Sequence, residues 1–361
     1  MKVLFLSNEA SQSGSAYAHR LEKLRSALNQ HGIQTGFLSL REQPVPRPLL
    51  AHPLNVPLIR KSLSEYDFVH AGGAAAYTAA FLKRHTRARI IHDVHGDILC
   101  EAKLELEVHK NPLSAYRVIQ AWIAESVAYR YSDYFLVVCR PLQQRLMDEH
   151  HIPAHRIGLV RNGVDLSLFT PSSQNGTGEF VVCYAGGFQD WQGAHNLIQA
   201  AELVSIRNFR LKVVGFTPRD ATLKSRIASR LGDKVQLVDR VEQRELISHL
   251  AAAHVLVIPR PSHPAVEAAF PTKFSEFLAL AKPVIVCDVD QTARLVEQHH
   301  CGLVSQPDPA ALAATISAVS KLPRAELKRM GQNARRLAER EFSWDVIGQA
   351  YAELLRRWQV Q

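Results

Sequence analysis

The chain is short of several things, and each shortage excludes something. Only five cysteines occur in 361 residues, at positions 100, 139, 183, 287 and 301. No two have the spacing of a zinc site or a redox pair. Cys183 and Cys287 sit inside the apolar runs "FVVCYAG" and "KPVIVCD", which reads as buried thiols in a reducing compartment. No stretch approaches the roughly 20 apolar residues of a membrane span. The opening "MKVLFLSNEA" turns polar at Ser7, too early for a secretory signal. A soluble, cytoplasmic protein is the expectation. Low-complexity tracts and short repeats are missing too. The formal net charge is +9, yet no basic tail carries it. Nucleic-acid-binding proteins concentrate such charge and interleave it with aromatics. A diffuse excess suits an anionic substrate or a membrane surface instead. "GGAAA" at 72–76 lacks both the G-x-G-x-x-G spacing and the acidic residue about 20 positions on, which argues against a dinucleotide dehydrogenase.

What is present is enough apolar sequence for large cores: 47% hydrophobic and 21% charged residues. A chain of this length exceeds one core and predicts two domains. "KVLFLS", "IQTGFLSL", "YDFVHAGG", "ARIIHDVHG", "DYFLVVCR" and "HRIGLVRNGVD" read as strands, most of them followed by helical patterns. "FTPSSQNGTGEF" (169–180) is a linker by composition. The alternation then restarts with "FVVCYAGGF", "FRLKVVGF", "VQLVDRV" and "HVLVIPR", and the chain ends in a helical pattern. The predicted class is α/β, with two doubly wound parallel sheets across a cleft. Residues 1–170 form the first domain and 171–340 the second, and a helix over 341–361 packs back on the first.

"PTKFSEFLALAKPVIV" (271–286) raises the chemical question. Phe274, Phe277, Leu278 and Ala281 share a helical face, with Thr272 as cap and Pro283 as stop. Lys273 falls in the first turn, where the helix end is already partially positive. A Lys273–Glu276 pair in this order is worth only a few tenths of a kcal/mol. A bound anion explains the lysine better, because backbone N–H groups and the ammonium then converge on it. Glu276, one turn on, is placed to accept hydrogen bonds from a vicinal diol such as a ribose. Phosphate plus ribose means a nucleotide, bound where ligands of open α/β sheets bind, at the carboxyl end of the strand "HVLVIPR".

This segment, with "NGVDLSLFTP" (162–171), "YAGGFQDWQGAHNLIQAA" (184–201) and "FSW" before the terminal helix, resembles the retaining GT-B glycosyltransferases of family 4 over essentially the whole chain. The resemblance implies two Rossmann-like domains, the first for the acceptor and the second for the nucleotide sugar. It implies that Glu276 holds the donor ribose, and that Thr272 and Lys273 meet the diphosphate. The turn of Gly186 and Gly187 and the position of Gln192 would line the same group. Backbone near Arg240 and Val241 would meet the base. His95 of "HDVHGD" would contact the transferred sugar, and Ser13 and Gly14 of "SQSGSA" would lie near phosphates and acceptor. The family often places a glutamate eight residues before the ribose glutamate. Here that place is Ala268, with Glu267 one residue off register. The diphosphate-binding Arg and Lys of the family are replaced by Gly187 and Gln192, and Lys273 stands in for their charge.

The implied reaction moves a sugar from a UDP- or GDP-linked donor to a sugar, lipid-linked or glycoconjugate hydroxyl, with retention and without cofactor or metal. "DVD" (288–290) imitates a metal motif but reads as a strand end. "HDVHGD" could suggest a metal, yet its neighbouring residues point to opposite faces of a strand. The basic stretch "FLKRHTRAR" (81–89) and a second one from Arg324 to Arg340 are consistent with solvated faces or peripheral membrane association. A nucleotide-sugar epimerase, an inverting GT-B transferase and a non-catalytic sugar-nucleotide-binding protein remain the alternatives.

Overall fold

The structure is a computed structural model that describes residues 1–8, 15–40, 64–172 and 178–361. In chain order the first elements are β1 (Lys2–Ser7), α1 (Ala16–Gln30), β2 (Gln34–Ser39), β3 (Phe68–Gly72), α2 (Gly73–Phe81), β4 (Arg89–Val94), α3 (Ile98–His109), α4 (Pro112–Tyr131), β5 (Tyr134–Val137), α5 (Arg140–Asp148) and β6 (Ile157–Leu159). They continue with β7 (Phe180–Ala185), α6 (Ala194–Leu203), β8 (Phe209–Phe216), α7 (Ala221–Leu231), β9 (Val235–Asp239), α8 (Gln243–Ala251), β10 (Val255–Ile258) and α9 (Pro264–Glu267). The last are α10 (Thr272–Ala279), β11 (Val284–Cys287), α11 (Gln291–His299), β12 (Gly302–Ser305), α12 (Pro309–Ser320), α13 (Arg324–Glu341) and α14 (Trp344–Val360). No helix among the described residues is long and apolar enough to cross a membrane.

The chain divides into two compact units. The first comprises Met1–Gly163, Ala268–Phe270 and Trp344–Gln361. Its sheet is parallel throughout, in the order β2-β1-β3-β4-β5-β6. Alternate residues of β1 serve two cores, as a strand's period of two requires. Val3 and Phe5 face Leu21, Leu24 and Leu28 of α1 and Tyr351, Leu355 and Trp358 of α14. Leu4 and Leu6 face Ala75, Ala76 and Ala79 of α2. The alanines let α2 lie close against the sheet.

Two helices fill residues 98–131, where the sequence patterns suggest no element. Their periodicity is hidden because α4 inverts the usual arrangement. Its buried positions are Ser114, Ala121, Glu125 and Ala128, while Leu113, Tyr116, Ile119, Trp122 and Ile123 are exposed. A search for apolar residues facing inward finds nothing in such a segment.

The second unit comprises Val164–Glu267 and Pro271–Ser343. Its parallel strands run β12-β11-β10-β7-β8-β9. Read from β9, this is the 3-2-1-4-5-6 order of dinucleotide-binding sheets, with the direction of winding reversing between β7 and β10. Two glycines shape the edge of that switch point. A Cβ on Gly193, whose φ is +72°, would lie 1.8 Å from the Pro259 carbonyl oxygen, so only glycine lets the loop after β7 meet the loop after β10. Gly215 on β8, at φ +131°, likewise admits the Gly186 carbonyl oxygen.

The helix expected to extend to Ala281 ends at Ala279. Ala281 adopts the left-handed conformation (φ 54°) that glycine normally fills at a helix end. Its carbonyl faces Gly331 of α13, where a Cβ would stand 2.1 Å from the oxygen. Gly331→Ala should therefore lower unfolding stability by roughly 1–3 kcal/mol, the usual cost of overpacking. Chemical denaturation measures it, and an unchanged midpoint would show that α13 gives way at no cost. Arg335 secures the same corner, donating to the carbonyls of Phe169 and Ala279 at 2.8 Å each.

Candidate functional site

In the second unit the elements around the β7–β10 switch point bring most of the expected donor residues to one sheet edge. Pro271 occupies the N-cap position of α10, and no side chain caps the helix. Thr272 is thus the first helical residue and not the cap. The proline before it presents no hydroxyl, and the Thr272 carbonyl accepts the Ser275 hydroxyl at 3.0 Å. The cap residue thus offers no side-chain acceptor to the first turn, and the Phe274 N–H donates to the Pro271 carbonyl at 3.1 Å. Phe274, Phe277 and Leu278 anchor the helix in the core at 0% exposure. Lys273 Nζ lies 2.8 Å from Glu276 Oε2, in a pair whose side chains are 32% and 19% exposed.

The loop after β7 is held from below. Gly186 N–H donates to the Val214 carbonyl at 3.1 Å, and the buried Tyr184 hydroxyl donates to the Gly187 carbonyl. Neither Gly186 nor Gly187 has a positive φ. Gln192 closes the short 3₁₀ turn Asp190–Gln192 ahead of Gly193. Arg240 and Val241 follow β9, and the Arg240 N–H is spent on the Phe216 carbonyl at 2.8 Å. Phe188 stacks on Phe216 at 4.3 Å between ring centroids.

Glu267 ends the four-residue α9 as an exposed side chain. It accepts from the Ser262 hydroxyl at 3.2 Å, whereas Ala268 beside it is buried. The "DVD" stretch has structural work: Asp290 Oδ1 caps α11 through the Thr292 N–H (2.8 Å), and Oδ2 pairs with buried Arg260 (2.9 Å). Among the described residues no group of three or more His, Cys, Asp or Glu side chains is arranged for a metal ion. The basic residues of α13 are largely engaged: Arg329 pairs with Glu326, Arg335 with Glu339 and Arg340 with Glu341. Ser13 and Gly14 lie outside the described residues.

The first unit holds a buried charge network at the carboxyl end of β4, most of which motif reading passes over. Asp93 is 1% exposed. Arg20 of α1 grips it with Nε to Oδ2 at 3.0 Å and Nη2 to Oδ1 at 3.1 Å. The same guanidinium donates to the carbonyls of Val160 and Arg161 and to Asn162 Oδ1. His70 Nε2 is 3.1 Å from Asp93 Oδ2, and His70 Nδ1 is 2.8 Å from the Tyr351 hydroxyl of α14. Burial alone would raise the Asp93 carboxyl, but the Arg20 guanidinium, helped by the hydrogen bond from His70, outweighs it and holds the carboxyl well below its usual range. Burial lowers His70 despite Asp93, so a neutral ring donates from Nε2 and accepts from tyrosine at Nδ1. His92 points to the opposite face, against Tyr129 and Phe135.

His95 follows Asp93 by two residues and shares its face. Its Nδ1 lies 3.6 Å from Asp93 Oδ2, and its ring packs 4.4 Å from that of Tyr17. The next turn is fixed by Asp97, which caps α3 through the Cys100 N–H and pairs with Arg145 at 2.8 Å. Glu125 of α4 accepts from the Leu99 N–H at 3.2 Å. Burial, then the charge of Asp97, pushes its carboxyl up to about 7. The i, i+2 spacing of Asp93 and His95 is readable in "HDVHGD". Arg20 and Tyr351 are not, because they reach this cluster from 73 and 258 residues away.

Residues 169–337 match the family "Glycosyl transferases group 1", and residues 16–168 match "Glycosyltransferase Family 4". The D-inositol 3-phosphate glycosyltransferase of Corynebacterium efficiens is 26% identical over 310 residues, covering 79% of this chain and 70% of that protein. The MMP alpha-(1->4)-mannosyltransferase of Mycolicibacterium hassiacum is 28% identical over 209 residues, 56% of this chain and 48% of that one. Among solved structures, sucrose-phosphate synthase from Thermosynechococcus elongatus superposes with a TM-score of 0.82 at 21% identity, covering all of both chains. Anabaena HepE in complex with UDP superposes at 0.73 and 20% identity, over 99% of this chain and all of that one. These likenesses show the GT-B fold. With the two family matches running from residue 16 to residue 337 over that fold, the chain belongs to the glycosyltransferases of family 4.

Proposed function

We propose that the protein transfers a glycosyl residue from a UDP- or GDP-linked donor to an acceptor hydroxyl, with retention at the anomeric carbon and without a metal ion. The observation that carries the reading is the Lys273–Glu276 pair at the start of α10, beside the switch point of the second sheet. A partly exposed ion pair contributes at most about 1 kcal/mol. Hydrogen bonds to charged groups contribute about 1.5–3 kcal/mol each. Donor binding therefore opens the pair at little cost: Lys273 turns to the diphosphate over the uncapped helix start, and Glu276 is released to the ribose hydroxyls. UDP-bound HepE and its UDP-glucose complex share the fold, which supports a nucleotide-sugar donor.

In the transfer, the bond from the anomeric carbon to the phosphate oxygen breaks on the face where the acceptor oxygen bonds. The acceptor's proton passes to the leaving phosphate oxygen, and Lys273 with the α10 N–H groups stabilises the departing charge. We assign the acceptor to the first unit, with His95 as its candidate for touching substrate, and Glu267 the weaker candidate of the second. Incubation with labelled UDP- and GDP-sugars and a panel of sugar and lipid-linked acceptors tests the reading, with the anomer of the product read by NMR. A β-linked product from an α-linked donor would overturn retention. Neither transfer nor hydrolysis from any donor would overturn the enzyme.

We also propose peripheral membrane association through the exposed face of α4. Leu113, Tyr116, Ile119, Trp122 and Ile123 lie there together, with Arg117 and Arg130 also exposed on the helix. An apolar face with aromatic rings and basic neighbours suits the headgroup boundary of a bilayer. The wild type should float with vesicles of mixed anionic and zwitterionic lipid, and Ile119→Ser with Trp122→Ser should cut the bound fraction at least fivefold. Equal flotation of both proteins, or none of the wild type, would count against this surface.

A further inference from the structure

Among the described residues of the first unit several buried polar atoms lack a hydrogen-bond partner, and one of them, His95 Nδ1, lies where substrate is expected. His95 Nδ1 is buried and has no hydrogen-bond partner, although Asp93 Oδ2 stands only 3.6 Å away. Buried donors and acceptors are nearly always satisfied, so an orphan beside a carboxylate calls for a reason. The surroundings restrict the ring. Tyr17 packs against it, and Gly72 at the end of β3 makes room for that tyrosine, since a Cβ on it would lie 2.3 Å from the Tyr17 hydroxyl oxygen. Asp93 itself cannot move: Arg20 holds both its oxygens, and His70, backed by Tyr351, holds Oδ2.

We propose that Asp93 is a positioning residue for the glycosyl transfer: it accepts the Nδ1–H of His95 when substrate is bound, fixing the ring so that Nε2 faces the substrate. A shift of a few tenths of an ångström closes the bond. Catalytic hydrogen bonds are often long in unliganded proteins and tighten on binding. In the neutral ring a hydrogen on Nδ1 leaves the Nε2 lone pair outward, so His95 accepts from a substrate hydroxyl. Arg20, His70 and Tyr351 act one step further back, by keeping the carboxylate where it is. The inference rests on the functional reading above for the word substrate, but not for the geometry of the pair.

Two measurements separate them. The first is long-range ¹H–¹⁵N correlation on the full chain with ¹⁵N-labelled histidine, with His95 assigned by its loss in His95→Gln. The neutral ring of His95 should carry its hydrogen on Nδ1 in wild type and lose that preference in Asp93→Asn. A hydrogen on Nε2 in wild type would overturn the proposal whether or not Asp93→Asn folds. The second is turnover of His95→Gln and His95→Asn, whose amides occupy the places of Nε2 and Nδ1 respectively. His95→Gln should retain at least tenfold more kcat than His95→Asn, and the reverse order would overturn the assignment of Nε2. If wild type neither binds nor turns over any nucleotide sugar, the functional reading falls, and the spectrum still decides the pair.

Discussion

Glu276→Ala is expected to abolish stabilisation by a nucleoside diphosphate while leaving the unliganded protein almost unchanged. A ligand at 100 times its Kd adds about 2.7 kcal/mol to the stability of wild type. If Glu276 accepts from two ribose hydroxyls as proposed, removing its carboxylate forfeits roughly 3 kcal/mol, which is about a hundredfold in affinity. The same substitution in the free protein breaks only the partly exposed pair with Lys273, worth under about 1 kcal/mol. A thermal-shift panel with UDP, GDP and ADP reads both quantities in one experiment. The nucleotide that shifts wild type names the base. Lys273→Ala should narrow the preference for the diphosphate over the free nucleoside, because the contact proposed for its ammonium is with the phosphates alone. An unchanged response in Glu276→Ala would remove the ribose role from α10 and leave its first turn without an account.

Why α10 was readable and α4 was not is a matter of what local sequence encodes. Lys273 stands out because it breaks a rule for the first helical turn, and broken local rules gather at functional sites. The central strands were legible because they carry near-continuous apolar runs, as β1, β5, β10 and β11 do, in keeping with parallel strands covered on both faces. α4 obeys no such rule: its exposed face carries Trp122 and Ile119 and its buried face Ser114 and Glu125, so its pattern resembles neither template. Thr272 failed as a cap because Pro271 already ends the preceding loop in extended conformation, one residue earlier than the preference for threonine suggests. The Asp93 cluster was half legible. The strand period puts Asp93 and His95 on one face, but Arg20 and Tyr351 join only through the packing of α1 and α14 on the same sheet. Chemistry assembled by tertiary contact leaves no spacing to read.

Acidification should produce the other large effect, and its shape follows from four buried groups of the first unit: His70, His92, Asp93 and Glu125. Burial, then the charge of His95, lowers His92 to about 3. The unfolded chain therefore binds a proton at His92 that the folded one refuses between about pH 6.5 and 3, and stability falls as pH falls through that window. The full window is worth about 5 kcal/mol at about 1.4 kcal/mol per pH unit. Glu125 has the opposite sign. Burial raises its carboxyl to about 7, so between about pH 7 and 4.5 the folded chain takes up a proton that the unfolded one does not, and stability rises as pH falls. From about pH 6.5 to 4.5 the Glu125 slope opposes that of His92, and His70, which burial also lowers, leaves the curve falling gently. Below about 4.5 the Glu125 counterweight is gone, and Asp93, held well below its usual range, adds its own loss as the unfolded chain's aspartate begins to protonate. The loss then steepens. Glu125→Gln removes the counterweight, so from about pH 6.5 its stability should decline more steeply than that of wild type, by about 1.4 kcal/mol per unit. Urea unfolding at half-unit intervals from pH 7.5 to 3.5 measures both curves. A Glu125→Gln curve parallel to that of wild type between about pH 6.5 and 4.5 would show that the folded Glu125 is not taking up that proton. In that event the two carboxylates at the start of α3 would both be ionised at neutral pH, with Arg145 serving both.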